Sequence, residues 1–271
     1  MVVQVKKNWV DRHHRYEQLE AHVRREKTAN FGFQKVPETE KARRVLRHFN
    51  SVARYYDFMN SLLSLGIHHF WKRMAVKTMA LRSGDRVIDI CGGTGDLAIL
   101  AARMIGSSGH VTLYDINRSM INTGRYKIEK SGLNGRIGYV QGDAEEISFP
   151  DQSFNAAMVG FGIRNVTHME KGFKEMHRVL KPGGKLMCLE FSKPTSAVIR
   201  RLYDFYSFYI MPLAGEIVAG NRQAYTHLPE TIRLFPLPEE LADILKKIGF
   251  SHVTYRRLTN GIAAVHLAQK V

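Results

Sequence analysis

Residues 86-RVIDICGGTGDLAIL-100 decide the fold. The apolar, β-rich run RVIDIC ends in glycines and passes straight into a helical stretch, and Gly93-Thr94-Gly95-Asp96-Leu97-Ala98 reads as G-x-G-x-x-A. That pattern is the tight turn by which a parallel strand presents a nucleotide to a helix N-terminus. The same alternation continues downstream. HVTLYDI (110–116), IGYVQG (137–142), FNAAMVGF (154–161) and KLMCLEF (185–191) read as strands. Helical stretches run to about 105, over 118–131 and over 168–180, and KPGG (181–184) is a stop-and-turn. Alternation of this period predicts a parallel sheet covered by helices on both faces. The C-terminus breaks it: SHVTYRRL (251–258) and IAAVHLAQK (262–270) are joined by Thr259-Asn260-Gly261, and Asn-Gly between β-runs is a hairpin signal. The expected fold is α/β and Rossmann-like, a seven-stranded, mostly parallel sheet with an antiparallel C-terminal hairpin.

Around this sheet the chain divides into an arm over 1–30 and a single domain over 31–271. The arm is polar and rich in Arg and His, and reads as a weak surface helix or a disordered segment. A helical cap is expected over 41–79, marked by Val45, Phe49, Val52, Tyr56, Ile67 and Trp71 and broken at Asn60-Ser61 and Leu65-Gly66. An insert over 194–248, rich in Tyr, Phe, Leu and Pro, is expected to form a lid over the substrate. With 44% hydrophobic residues the 271-residue chain buries a substantial core. Its net charge of +15 favours polyanionic partners, nucleic acid or an anionic membrane surface. No apolar run is long enough to span a bilayer, and the N-terminus lacks the apolar stretch of a secretory signal. Cys91 and Cys188 sit in apolar runs and read as core residues, and no metal is expected.

The loop alone does not say what it binds. A dinucleotide would set its pyrophosphate over the helix start, yet Asp89 precedes the loop and Asp96 opens the helix, and two carboxylates there repel a pyrophosphate. A ligand with a positive centre gains instead. S-adenosylmethionine, with its sulfonium, ammonium and adenosine, is such a ligand. Asp115 ends the second strand and is placed to accept both ribose hydroxyls. In Gly142-Asp143-Ala144, the Asp143 carboxylate suits the exocyclic amine of adenine.

The chain resembles the ubiquinone/menaquinone-biosynthesis C-methyltransferases, within the class I methyltransferases, from about Phe31 to the C-terminus. The resemblance rests on FGFQKV (31–36), FNSVARYYDFMNSLLSLGIHHFWKR (49–73), DICGGTGDL (89–97), GDAEEISFPDQSF (142–154), FGIRNV (161–166), RVLKPGGKLMCLEFSKP (178–194), YDFYSF (203–208) and LTNGIAAVHLAQK (258–270). It implies methyl transfer from S-adenosylmethionine to a ring carbon of a polyprenylated quinol, a demethylmenaquinol or a 2-methoxy-6-polyprenyl-1,4-benzoquinol. It places cofactor contacts at Thr94, Asp115, Asp143 and Ala144, beside the loop residues Asp89, Gly93 and Gly95. A Ser common in relatives is replaced here by Gly160, which leaves no hydroxyl for that contact.

A neutral ring carbon is a poor nucleophile, so the chemistry needs a group that favours the phenolate, a route for the ring proton and exclusion of water. Arg164 and Asn165 follow the fourth strand, at the carboxyl edge where ligands bind such sheets. Arg164 is expected to stabilise the phenolate, and the resemblance suggests Tyr56 as its partner in proton movement; Asp57, Asn60 and His68 share that segment. The expected setting is cytoplasmic, at the inner face of a membrane or on the matrix side in an organelle. Peripheral contact is made with anionic lipid, and no nucleic acid is bound. A homodimer and contacts with other quinone-biosynthesis proteins remain open. The rival readings are a nucleic-acid methyltransferase, prompted by the charge, and a non-catalytic member of a quinone-synthesis complex.

Overall fold

A computed structural model describes residues 27–271. The arm over 1–26 lies outside the described residues, whereas residues 28–30 belong to strand β1 (Thr28–Phe31), which pairs antiparallel with β2 (Gln34–Pro37). Three helices follow: α1 (Glu38–Val52), α2 (Tyr56–Leu63) and α3 (Ile67–Thr78). The expected break at Asn60-Ser61 is absent, because both residues lie inside α2. The break at Leu65-Gly66 is present, and both residues take positive φ, which Gly66 accepts without a steric penalty.

The main sheet is built from β3 (Arg86–Ile90), β4 (His110–Asp115), β5 (Ile137–Gln141), β6 (Phe154–Gly160), β7 (Leu180–Phe191), β8 (Phe250–Leu258) and β9 (Ala263–Lys270). Its order is β5-β4-β3-β6-β7-β9-β8, and only β9 runs antiparallel to its neighbours. The order reverses at β3, so the carboxyl ends of β3, β4 and β6 open a crevice at the switch point. KPGG is a bulge within β7: Phe154 faces Leu180 and Ala156 faces Lys185, so the turn residues loop out and pairing resumes.

Helices α4 (Asp96–Met104), α5 (Arg118–Lys130) and α6 (Met169–Val179) alternate with the strands. Two apolar layers result. Trp71, Val76, Ile105 and Leu113 lie in one, and Ile88, Phe154, Phe173 and Leu186 in the other.

The stretch 194–248 divides. Helices α7 (Ala197–Phe205) and α8 (Met211–Ala219) are joined by a π-helical turn, Tyr206–Ile210, and α9 (Arg222–Leu234) packs on them. Arg233, only 1% exposed, fastens this unit through Asp204 and, at 3.0 Å, Ser207 Oγ. The last helix, α10 (Pro238–Ile248), instead covers the sheet, with Leu241 and Leu245 in its core.

Candidate active site

The crevice, about 810 Å³ with its open mouth included, is walled by the ends of β3, β4 and β6 and by α1. Asp115 is its fixed point. Asp115 Oδ2 accepts the Gly93 N–H at 2.8 Å and Oδ1 the Asn117 N–H at 2.7 Å. Each carboxylate oxygen keeps a further lone pair, so the group can still accept two hydroxyls from a ligand. Burial pushes its pKa up to about 6, the two N–H bonds opposing. Gly93 lines the crevice at φ +55, a conformation that a side chain there would strain. Asp143 Oδ1 accepts the Glu145 N–H at 2.8 Å, which turns the residue at the rim and leaves Oδ2 for a donor. Ala144 and Gly160 complete the wall, and a Cβ at 160 would come within 2.6 Å of Leu97 Cδ1. Leu97 thus takes up the space a larger residue at 160 would need.

Asp89, Thr94 and Gly95 do not reach this wall. Asp89 is buried beneath the loop, where its Oδ2 accepts the Ala98 N–H at 3.0 Å and burial raises its pKa well above the carboxylate range. Gly95 caps α4 at φ +82, and a Cβ there would come within 3.0 Å of Ile128 and Leu113. Thr94 Oγ1 donates to Asp57 Oδ1 at 2.6 Å and accepts from Lys127 Nζ at 3.1 Å. Lys127 also contacts Asp57 at 2.7 Å and Asp96 at 2.6 Å, and Lys72 contacts Asp96 at 2.7 Å. Asp96 therefore does not carry the repulsion assigned to it. Burial alone would raise its pKa, but the two ammonium groups hold it well below the usual range. His68, His69 and Asp96 bring ligand atoms within 4.8 Å of one another, and the lysines already occupy both Asp96 oxygens.

Sequence reasoning missed Asn117. Its Oδ1 caps α5 through the Met120 N–H, while its Nδ2 reaches Leu46 O and Asn50 on α1. Lys41 adds a bond from α1 to Val166 O at 3.0 Å. The cap helix is thereby tied over the crevice. An Asn two residues past a strand-end Asp is a helix-cap signal, but nothing in it names α1 as the partner.

A second, larger cavity of about 1490 Å³ adjoins the first. Phe49, Tyr56, Phe161 and Asn165 line both. Most of its wall is aromatic or aliphatic, from α1, α2, the π turn and α9, and Arg164 enters it from the sheet edge. The Arg164 guanidinium contacts Glu190 at 2.6 Å, the Phe161 carbonyl, and Thr231 Oγ1 at 3.3 Å. Burial raises the Glu190 pKa against the pull of Arg164. Tyr56 is also desolvated, its phenol pushed up to about 12, so at neutral pH it is a hydrogen-bond donor and not a base.

A family model described as the ubiE/COQ5 methyltransferase family matches residues 37–270. The chain belongs to the ubiE/COQ5 methyltransferase family. It is 48% identical over 241 residues to the ubiquinone/menaquinone biosynthesis C-methyltransferase UbiE of Pseudomonas putida (strain GB-1), covering 89% of this chain and 94% of that one. Among solved structures, an S-adenosylmethionine-dependent methyltransferase from Aquifex aeolicus aligns at a TM-score of 0.54 and 19% identity, over 74% of this chain and 89% of that one. The [4+2]-cyclase SpnF aligns at 0.57 and 20% identity, over 74% and 81%. The methyltransferase fold is therefore secure, and the cyclase shows why fold alone does not fix chemistry. Membership of a methyltransferase family supports S-adenosylmethionine as the donor for this enzyme.

Proposed function

We propose that this methyltransferase methylates a ring carbon of a polyprenylated quinol, a demethylmenaquinol or a 2-methoxy-6-polyprenyl-1,4-benzoquinol, with S-adenosylmethionine as donor. The observation that carries this reading is the pair of adjoining cavities sharing Phe49, Tyr56, Phe161 and Asn165. One has a buried carboxylate at its base and backbone turns around it; the other is larger and mostly apolar, as a polyprenyl quinol requires. The relatives' printed function and the likeness of the sequence support the same assignment.

The cofactor, when bound, supplies an electrophilic methyl on a positive sulfur. Asp115 would hold the ribose hydroxyls through its remaining lone pairs, and Asp143 Oδ2 the adenine amine. Asn117 and Lys41 hold α1 closed over the crevice and so exclude water. On the substrate side Arg164 favours the ionised ring hydroxyl, which raises electron density on the neighbouring carbon. Part of its charge is balanced by Glu190, which fixes the guanidinium plane in place. Tyr56 donates to a ring oxygen or a water and orients the ring.

The test is incubation with labelled S-adenosylmethionine and short-chain quinols of both ring types, followed by mass analysis. A product heavier by one methyl on ring carbon is expected. Label retained wholly in the cofactor with both quinols, or transferred to RNA, overturns the reading.

A further inference from the structure

Methylation at a ring carbon forms a carbon–carbon bond and breaks the sulfur–methyl bond, whose electron pair stays on sulfur. The hydroxyl proton given up to solvent on ionisation is regained once the ring is aromatic again, so one proton, the former ring hydrogen, is in net surplus inside a largely apolar cavity. Arg164 has no lone pair to receive it, and Tyr56 already carries its proton. His48 and His227 stand in the wall of the same cavity, with ring centroids 4.9 Å apart. Together with Ala224 they also line a separate, outward-facing cleft of about 760 Å³, whose other walls include Glu40, Arg44, Arg47, Asn221 and Gln223. The two imidazoles thus form part of the partition between an apolar reaction cavity and a polar, open cleft.

We propose that His227 takes the ring proton and releases it, alongside His48, to water in the outer cleft. This assignment rests on the quinol methylation reading above. His227 lies on α9, 7% exposed, and its plane is fixed by Phe31, which stacks on it at 4.0 Å and 25°. Arg164 lines the same cavity, and its charge acts on both imidazoles, as that of Lys41 does on His227. Glu40, Arg44 and Arg47 face the pair from the cleft. Glu230, also on α9, is held by the Phe33 N–H at 3.1 Å. Burial lowers His227 to about 3, with His48, Arg164 and Lys41 adding to it, and lowers His48 to about 4, with Arg164 adding to it. Both rings therefore enter turnover neutral, each with a lone pair, and each releases an acquired proton readily. Positive charge on Arg44 and Arg47 does not block exit, because the proton leaves as part of bulk water.

The experiment compares wild type, His48→Gln, His227→Gln and His227→Ala with labelled cofactor and a short-chain quinol carrying either hydrogen or deuterium at the methylated carbon. Cofactor affinity is measured in parallel by calorimetry. For both His227 variants the expected result is affinity within twofold of wild type and a kcat lower by roughly 100-fold, the scale of a lost general base. A primary isotope effect should emerge with the deuterated quinol, and added imidazoles should rescue His227→Ala at rates that rise with their basicity. His48→Gln should lose less. Wild-type kcat in His227→Gln, or a loss with no isotope effect and no rescue, overturns the proposal. If the alanine variant does not fold, the isotope effect in His227→Gln decides alone. Inactivity of the wild type toward every quinol would instead sink the underlying reading, so the two failures are told apart.

Discussion

Asp115 shows what one buried carboxylate contributes here, and what pH does to it. Its backbone bonds to Gly93 and Asn117 leave two acceptor positions, and a charged acceptor contributes about 1.5–3 kcal/mol per bond. Asp115→Ala should therefore weaken cofactor binding at least roughly tenfold by calorimetry; unchanged affinity would remove it from the site. The pH dependence follows from its raised pKa of about 6. Between the ordinary carboxylate value and about 6 the folded protein binds the extra proton, so this group's stabilising contribution is full at low pH and is lost as pH rises through 6. Cofactor binding needs the carboxylate and runs the other way, weakening as pH falls through about 6. Calorimetry from pH 5 to 7.5 should show that loss in wild type and not in Asp115→Asn. Arg164 separates structure from chemistry in the same manner. Arg164→Ala strands the buried Glu190 charge and should cost about 3–5 kcal/mol in denaturant unfolding. The double variant Arg164→Met/Glu190→Met should regain most of that stability and none of the turnover. Recovered kcat would show that Arg164 only fills space. Residues at strand ends, such as Asp115, Asp143 and Arg164, were legible because a parallel sheet delivers its strand ends to one edge. That Thr94 and Asp89 turn away from the crevice wall was not, since a loop sequence does not say which of its side chains face the crevice. His48 and His227 stayed silent because helical packing, with no local pattern, brings them together.

At the scale of elements, the decisive join is the one that holds α2 against the loop. Lys127 on α5 reaches Asp57 on α2 and Asp96 at the start of α4, and Thr94 closes the same network. Tyr56 belongs to α2, so the placement of the aromatic donor depends on these charges. They are partly exposed, which reduces the worth of each pair. Lys127→Met should still accelerate amide exchange over 56–63 by roughly five- to tenfold, as local opening there loses its restraint. The KM for the quinol should rise more than the cofactor Kd. Equal exchange in mutant and wild type would mean that α2 is held by its apolar contacts alone. The strands of the main sheet were legible nearly to their ends, apart from the start of β7, because their apolar runs are short and bounded by Gly and Asn; β1 and β2 were not, since Thr28–Phe31 and Gln34–Pro37 carry no such apolar run. The helical elements were less so. Asn60-Ser61 looked like a break, yet both residues are carried inside α2 by the tertiary packing of Met59 and Tyr56 around them. The insert read as one lid, whereas α10 buries its Leu face on the sheet; amphipathic periodicity says that a helix has an apolar face, not what covers it.

For the whole molecule, a polyprenyl tail has to enter the larger cavity from the surface. Val198, Leu202, Phe205, Tyr209, Leu213 and Ile217 are each between 46% and 74% exposed, and they recur every three or four residues along α7, the π turn and α8. The wider π turn compensates for the drift of a repeated four-residue spacing and keeps the stripe on one face. An apolar stripe of this length is a surface for a partner or a membrane. No helix among the described residues is long and apolar enough to cross a bilayer. Tyr206 and Met211, from the same unit, line the substrate cavity, so the stripe runs beside the cavity's wall. A net charge of +15 would favour anionic lipid, at about 1 kcal/mol per Lys or Arg near the surface. Phe208, in the same π turn, packs instead beneath the Arg233 guanidinium at 4.0 Å. Flotation should therefore separate the two: Leu202→Ser/Phe205→Ser should lose most binding to anionic liposomes, while Phe208→Ser should unsettle the fold before it affects lipid affinity. Binding should weaken at high salt and persist without residues 1–26. Retained flotation in the Leu202/Phe205 double variant, or complete loss on removing the arm alone, would show that the stripe is not the membrane face and that the quinol is delivered by another route.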